Sequence, residues 1–237
     1  MKRFFIIGLI LMLVCSGCAW FEGKAEGTAD ELINEGMEYF EDGKYRQAIE
    51  SLEKLKDWYP FSKYAILAEL KIGDARFHRA EYAEAIFAYE EFETLHPRNE
   101  AIPYVVYQIG RSYFEQVDTI DRDQISTQKA LDTFIRLIKT YPDNEYAKKA
   151  LTHKTECQKV LAGHDMYVGI YYYKSKHYKA ALHRFNTVLT SYPDVGVHHR
   201  ALYYITTTGA SVKKMEEAEM TNLEEPTSWK FWKRYWR

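Results

Sequence analysis

Four segments of the chain repeat one pattern of apolar, aromatic and small residues, and each segment ends at a proline. These prolines, each of which follows a tyrosine or a histidine, are Pro60, Pro97, Pro142 and Pro193. Twelve residues before each proline lies an alanine: Ala48, Ala85, Ala130 or Ala181. Eight residues before each proline lies a large apolar or aromatic residue: Leu52, Tyr89, Phe134 or Phe185. Residues four apart share one face of an α-helix, so the pattern predicts an amphipathic helix that ends near each proline.

A glycine recurs upstream of each of these helices, inside a second helical pattern. The four glycines are Gly36, Gly73, Gly110 and Gly169. Glycine inside a helix is less favourable than alanine by about 1 kcal/mol, so this position needs a packing reason, and the close approach of two antiparallel helices supplies one. The pattern resembles the tetratricopeptide repeat, in which a small residue of the first helix meets an alanine of the second. We therefore expect an all-α fold, a tetratricopeptide-repeat superhelix (α-solenoid) of about four to five helix pairs.

One junction between helices occurs twice in nearly the same form. The stretch YPFSKYA begins at Tyr59, and YPDNEYA begins at Tyr141. In each stretch the tyrosine and proline predict the end of one helix, and Ser62 or Asn144 offers a side-chain oxygen that caps the next. The same joint is therefore expected at two places in the solenoid.

The later units depart from a uniform repeat. An insertion of eight residues, within EQVDTIDRDQISTQ, separates the two helices of the third unit. Residues 145–174 contain no proline, and their apolar stripe predicts one long helix of about 45 Å, interrupted at most near Gly163. A fifth unit begins at about Val195, and Gly209 is expected to cap its helix.

These patterns divide the chain into five parts. Residues 1–17 are a predicted signal peptide, and residues 18–28 are a tether. We expect an N-terminal tetratricopeptide module over residues 29–142 and a C-terminal module, with the long linking helix, over residues 143–212. Residues 213–237 form a tail that is first acidic and then aromatic and basic. Its last ten residues are SWKFWKRYWR. Two interpretations of this tail stay open: it folds back over the last helix, or it docks on a partner or on the membrane surface.

The N-terminus has the features of a bacterial lipoprotein signal. Lys2 and Arg3 precede eleven apolar residues or glycines, a run that is too short to span a bilayer. The following VCSGC resembles a lipobox, in which Cys18 is lipidated and becomes the first residue of the mature chain. Ala19 is not the aspartate associated with retention in the inner membrane. The resemblance therefore implies a lipid anchor in the outer membrane, with the protein facing the periplasm.

Composition and motifs argue against several functional classes. The chain carries 32 basic and 34 acidic side chains, without the concentrated positive charge that nucleic-acid binding requires. Its sequence has no nucleophile elbow, phosphate loop or zinc-protease helix, so we expect neither an enzyme nor a cofactor. His153 and Cys157 lie four apart and resemble half a metal site. A half-buried helical face explains them equally well, and we expect no metal.

Three stretches carry a more specific resemblance. They are DRDQ in the insertion, the following FIRLIKTYPDNEYAKKA, and HDMYVGIYYYKSKHYKAALHRFNTVLTSYPD. They are similar to the BamD family of outer-membrane assembly lipoproteins, and the similarity extends over about residues 28–205. It implies a non-enzymatic component of the β-barrel assembly machinery that binds unfolded outer-membrane proteins and docks on the POTRA domains of BamA, beside other lipoproteins of the complex. A family arginine of the docking region falls on Arg184.

The resemblance also implies that the N-terminal repeats receive the C-terminal targeting segment of the substrate. Residues spaced i, i+4 and i+7 line one side of each first helix, which predicts an aromatic-lined groove on the concave face of the first three repeats. Cationic residues there suit the carboxylate of an extended peptide. The expected peptide-binding residues are Phe40, Lys71, Phe77, Tyr107, Arg111 and Phe114. The competing explanation is that these aromatic residues pack between repeats.

Two other functional classes remain as alternatives. A pilotin for type IV pilus secretin assembly, or a peptidoglycan-associated scaffold, would also be a lipoprotein with tetratricopeptide repeats. A pilotin is expected to lack the DRD insertion. A periplasmic hydrolase would need a catalytic triad or a metal site, and the sequence offers neither pattern.

Overall fold

The computed structural model describes residues 27–224, and side chains as far as residue 221. This part of the chain forms nine α-helices and no β-strand. The helices are α1 (Ala29–Glu41), α2 (Tyr45–Trp58), α3 (Ala65–His78), α4 (Tyr82–Leu95), α5 (Ile102–Phe114), α6 (Ile125–Thr140), α7 (Glu145–Lys174), α8 (Tyr178–Ser191) and α9 (His198–Glu224). The expected all-α class is confirmed. None of the described helices is both long and apolar enough to cross a membrane.

The ends of the helices follow the predicted signals. Helix α2 ends at Trp58 and α6 at Thr140, each directly before a Tyr-Pro pair. Asn144 caps α7, because its Oδ1 accepts a hydrogen bond from the backbone N–H of Tyr146 at 2.9 Å. The Ser62 hydroxyl accepts the corresponding bond from Tyr64 at 3.3 Å. The two turns share this bond, but α3 begins only at Ala65, so the expectation that Ser62 caps the next helix is wrong.

The repeated glycines mark places where two helices approach closely. A Cβ added to Gly36 would lie 2.7 Å from Leu52, one added to Gly110 would lie 2.6 Å from Phe134, and one added to Gly169 would lie 2.5 Å from Phe185. These distances confirm that the glycines allow two helices to approach closely. The residue that each glycine faces, however, is not the expected alanine. The glycine lies against the large residue four positions after the repeat alanine, because that side chain reaches across to the facing helix.

The chain divides into two compact units, residues 27–75 and residues 76–224. The N-terminal unit has a core in which α1, α2 and α3 contribute Leu32, Leu52, Leu55, Ala68 and Ile72. In the C-terminal unit one core cluster lies among α7, α8 and α9 and includes Met166, Ala181, Phe185, Val188 and Ala201. This division differs from the expected boundary between modules at residues 142 and 143, which stays a prediction.

Helix α7 is a single unbroken helix of 30 residues, as predicted. Gly163 lies inside it without interrupting it. The insertion between α5 and α6 contacts this helix: the backbone oxygen of Ile120 and Nδ1 of His164 are 2.7 Å apart. The inserted residues are therefore anchored to the long helix.

The predicted helix cap at Gly209 is wrong. The helix does not end at this glycine but continues to Glu224. The expected cap failed because no turn signal follows Gly209, whereas the next residues, ASVKKMEEAEM, include many good helix formers. Part of the expected tail, residues 213–224, is thus helical. The signal peptide, Cys18 and the aromatic and basic segment after residue 224 lie outside the described residues.

Candidate peptide-binding and docking sites

Phe40 and Lys71 lie together in the N-terminal unit. The Phe40 ring, near the end of α1, meets the Tyr45 ring edge to face with 5.4 Å between centroids. Lys71, on α3, places Nζ 4.9 Å from the centroid of Phe40 and 2.9 Å from Oδ2 of Asp74. Asp74 is buried, so Lys71 supplies a positive charge to a buried carboxylate while its own side chain stays partly exposed. This ammonium has a structural partner and retains access to solvent.

Arg111 lies over Phe77 in the C-terminal unit. Its guanidinium carbon is 4.7 Å from the centroid of the Phe77 ring, a distance at which the cation and the ring attract each other. Arg111 Nη2 donates a hydrogen bond to Oε1 of Glu115, one turn further along α5, at 3.0 Å. Arg111 Nε is buried and has no partner among the described residues. Since a guanidinium carries five N–H donors, these contacts leave it able to bind a further acceptor.

His153 of α7 connects Tyr107 and Phe114. Its Nε2 lies 3.2 Å from the Tyr107 hydroxyl, and its ring meets the Phe114 ring edge to face at 4.8 Å. The buried Phe134 ring stacks on the imidazole, with 5.2 Å between centroids. Burial, and to a smaller extent the positive charge of Arg111, lower the pKa of His153 below its ordinary value of 6.5. The imidazole is therefore neutral at neutral pH and packs as an aromatic ring.

The surroundings of His153 and Cys157 favour the structural explanation of that pair. Cys157 is fully buried, and burial raises the pKa of its thiol to about 12. The described residues contain no group of three or more His, Cys, Asp or Glu side chains arranged to hold a metal ion. His153 instead belongs to the aromatic cluster with Tyr107 and Phe114.

Arg184 forms an ion pair inside its own unit. Its Nη1 lies 2.8 Å from Oδ1 of Asp165, a buried residue of α7. The other carboxylate oxygen of Asp165 accepts a hydrogen bond from the Tyr192 hydroxyl at 3.0 Å. Burial and the negative charge of Asp165 raise the pKa of Tyr192 to about 12, which keeps this donor protonated. The Arg184 side chain remains 40% exposed, so part of it is available to a partner.

The chain is similar to a family of outer membrane lipoproteins and to proteins of that family. The YfiO family model, described as an outer membrane lipoprotein, matches residues 25–223. The chain belongs to the YfiO family. Two curated relatives carry the name outer membrane protein assembly factor BamD. The protein of Caulobacter vibrioides is 27% identical over 90% of this chain and 72% of its own length, and that of Rickettsia prowazekii is 30% identical over 82% of this chain and 78% of its own.

A solved structure of the TPR2AB-domain:pHSP90 complex of yeast Sti1 overlaps 80% of this chain and 73% of that chain, with 15% identity and a TM-score of 0.49. The resemblance to the BamD family is confirmed by the family match and the relatives. In this YfiO-family chain the six expected peptide-binding residues are all half-buried. Their role in binding, and that of Arg184 in docking, stays a prediction.

Sequence reasoning missed three residues that contact the expected site residues, either directly or through Asp165. His153 was considered only with Cys157, although its position on a helix that follows a repeat unit was a signal that it packs against that unit. Asp165 pairs with Arg184 from 19 residues away, and Tyr192, which donates to Asp165, lies 27 residues from Asp165. Asp165 stands four residues before the repeat glycine Gly169, and Glu69 stands four residues before Gly73, so a carboxylate at this position is not unusual in the repeat and carried no signal of the pair.

Proposed function

We propose that this chain is a non-enzymatic lipoprotein of the machinery that assembles β-barrel proteins in the outer membrane. The observation that carries the proposal is the family match over residues 25–223, with relatives named outer membrane protein assembly factor BamD. In this role the chain binds the targeting segments of unfolded outer-membrane proteins and docks on the POTRA domains of BamA. Its helix pairs supply surfaces for binding rather than a catalytic centre.

The proposed location is the periplasmic face of the outer membrane, with the anchor at Cys18. A lipid on the thiol and an acylated amine would give several hydrocarbon chains, which stable attachment requires because one chain binds only marginally. Replacement by Cys18→Ala should move the protein from the membrane fraction to the soluble fraction. An unlipidated mass for the wild-type protein, with unchanged fractionation of the variant, would remove this part of the proposal.

Identification of partners tests the function directly. Affinity purification of the intact lipoprotein should recover BamA and the other lipoproteins of the assembly complex. Recovery of a secretin without BamA would instead support a pilotin, and recovery of peptidoglycan-linked proteins would support the scaffold alternative. Turnover of a periplasmic substrate by the purified chain would contradict the non-enzymatic role.

The chemistry of the two cationic and aromatic patches supports peptide binding. In the C-terminal unit, Arg111 over Phe77 combines a guanidinium with an apolar ring, which suits a peptide that ends in an aromatic residue and a free carboxylate. Tyr107 and Phe114 extend the apolar part of this patch through His153. In the N-terminal unit, Lys71 over Phe40 offers the same pair of groups. We assign peptide binding to each patch by this shared chemistry.

Two aromatic substitutions test the patch in the C-terminal unit. Phe77→Ala and Phe114→Ala should each weaken binding of a barrel protein's C-terminal peptide by at least about fivefold, because each removes an apolar contact and Phe77 also holds Arg111. The substitutions should destabilise the fold less than loss of a fully buried phenylalanine, which costs about 3–5 kcal/mol. Phe87→Ala is the matched control, since Phe87 is 66% exposed on α4. Wild-type binding by folded forms of both variants would refute the assignment.

A further inference from the structure

The last described helix has the features of the first helix of a repeat. Eight residues after Pro193 lies the fully buried Ala201, as the fully buried Val105 lies eight residues after Pro97. Fifteen residues after each of these prolines lies a second fully buried residue, Thr208 in α9 and Ser112 in α5. Gly209 lies sixteen residues after Pro193, whereas Gly73 and Gly110 each lie thirteen residues after their prolines, so Gly209 lies one helical turn beyond the position of the repeat glycine and on the same side of the helix.

The face of α9 at Gly209 has no cover among the described residues. In the complete pairs a large side chain fills the space beside the repeat glycine: Phe134 lies 2.6 Å from a Cβ added to Gly110, and Phe185 lies 2.5 Å from one added to Gly169. A Cβ added to Gly209 would meet no described atom within 4 Å. The helix thus presents an open notch on the side of the helix that elsewhere receives an aromatic ring.

Apolar residues extend this notch into a stripe along α9. Leu202, Gly209, Val212 and Met220 recur at helical spacing and so lie on one side of the helix, whereas the neighbouring Ile205 already packs against the core cluster. Leu202 is 53% exposed and Met220 is 62% exposed. An amphipathic helix normally buries such a stripe, so this surface is suited to an apolar occupant.

The segment after α9 has the composition that this surface requires. Residues 229–237, WKFWKRYWR, contain five aromatic and four basic residues. The described end of α9 carries the exposed carboxylates of Glu216, Glu217 and Glu219; Glu216 and Glu217 pair with Lys179 and Lys213 at the surface, and Glu219 complements the basic residues of the segment. Pro226, two residues after the end of the helix, is a sequence signal for a change of chain direction.

The length of chain also fits. Gly209 lies fifteen residues before Glu224, which is about 22 Å along a helix at 1.5 Å per residue. An extended chain covers this distance in about seven residues at roughly 3.3 Å each. Counted from Glu224, that length places Phe231 and Trp232 opposite Gly209.

We propose that residues 229–237 of this chain dock on the exposed stripe of α9, with an aromatic side chain of Phe231 or Trp232 in the notch at Gly209. The segment then takes the place of the second helix that each earlier repeat supplies. It covers the last apolar face of the fold and keeps the aromatic residues of the tail away from water.

Limited trypsin digestion of the full chain tests this docking. Trypsin cuts after Lys230, Lys233 and Arg234, and a docked segment resists cleavage. Gly209→Leu should fill the notch, release the segment and raise the rate of cleavage at these sites at least about tenfold, as measured by intact-mass spectrometry. Ala210→Leu is the matched control, because this exposed neighbour lies about 100° around the helix, and its cleavage rate should match the wild type.

A second variant leaves α9 unchanged. The double substitution Phe231→Ser and Trp232→Ser should release the segment to the same extent as Gly209→Leu, so the test does not depend on the folding of one variant. Equal cleavage of the wild type and of both releasing variants would overturn the proposal. So would protection that appears only when the protein self-associates in sedimentation velocity, since a second copy would then be the occupant. Protection that needs vesicles containing phosphatidylglycerol would identify the membrane as the occupant and would also overturn it.

Discussion

The close contact between α7 and α8 makes Gly169 the residue at which a single methyl group should have the clearest effect on stability. A Cβ at this position would lie 2.5 Å from Cε1 and 2.9 Å from Cδ1 of Phe185, a ring that is fully buried. Gly169→Ala therefore inserts a methyl group into a packed core. Overpacking of this kind destabilises by about 1–3 kcal/mol.

Gly163→Ala is the matched comparison on the same helix. The added Cβ would lie 3.3 Å from Cγ2 of Ile120, whose side chain is partly exposed and belongs to the loop between α5 and α6, so it can move away. Both substitutions gain about 1 kcal/mol of helix propensity, and this contribution cancels in the comparison. The two variants should therefore differ by the overpacking alone, about 2 kcal/mol at the middle of its range.

Thermal and urea unfolding, followed by far-ultraviolet circular dichroism, measure this difference. At roughly 2–4 °C per kcal/mol for a chain of this size, Gly169→Ala should melt about 4–8 °C below Gly163→Ala. Gly163→Ala should be as stable as the wild type or slightly more stable. Equal melting temperatures for the two alanine variants would show that the helices can separate without loss, and would refute the packing reason for the repeat glycines.

Three further predictions concern single groups. Thr28→Ala removes a hydroxyl that caps α1 by accepting from the backbone N–H of Glu31, and should destabilise α1 by about 0.5–2 kcal/mol, seen as faster hydrogen exchange of the amides of α1. Cys157, buried and with its thiol pKa raised to about 12, should react with iodoacetamide at pH 8 only after unfolding; labelling of the native chain would contradict its burial. Burial lowers the pKa of His153 in the folded chain, so its contribution to stability is complete above the ordinary pKa of 6.5 and is lost as the pH falls below that value. His153→Phe should flatten this pH dependence of the unfolding free energy, whereas the exposed control His199→Phe should not.

The sequence predicted helix boundaries and helix contacts correctly where a single residue carries a local or repeated signal. Asn144 predicted the start of α7 because its side chain acts on the next few residues, and the absence of proline predicted that α7 is continuous. The glycine positions predicted close helix contacts because glycine, which is unfavourable inside a helix, recurs at one place in the repeat. Gly209 was misread since a glycine near an apparent helix end has two explanations, a cap and a packing notch. The structure excludes the cap, because the helix continues to Glu224.

The candidate sites depend more on contacts that no local pattern reveals. Phe77 and Arg111 were expected to line one surface, and the structure shows them in direct contact through their ring and guanidinium. The contact of Tyr107 with His153 joins residues 46 positions apart, so spacing within one helix gives no information about it. The same holds for Arg184, which sequence similarity assigned to a partner and which the structure pairs with Asp165. Long-range pairing of this kind follows from how the helices pack.

The two roles of Arg184 can be separated because its internal partner is now known. Arg184→Leu alone leaves Asp165 buried with the Tyr192 hydroxyl as its described hydrogen-bond donor, and should destabilise the fold by about 1–3 kcal/mol. The double variant Asp165→Asn with Arg184→Leu removes both charges and should be more stable than Arg184→Leu. If Arg184 also contacts BamA, the double variant will bind the POTRA domains more weakly than the wild type although it is folded. The control Arg200→Leu, at an exposed arginine of α9, should bind normally. Wild-type binding by the folded double variant would limit Arg184 to holding Asp165 and would refute its role in docking.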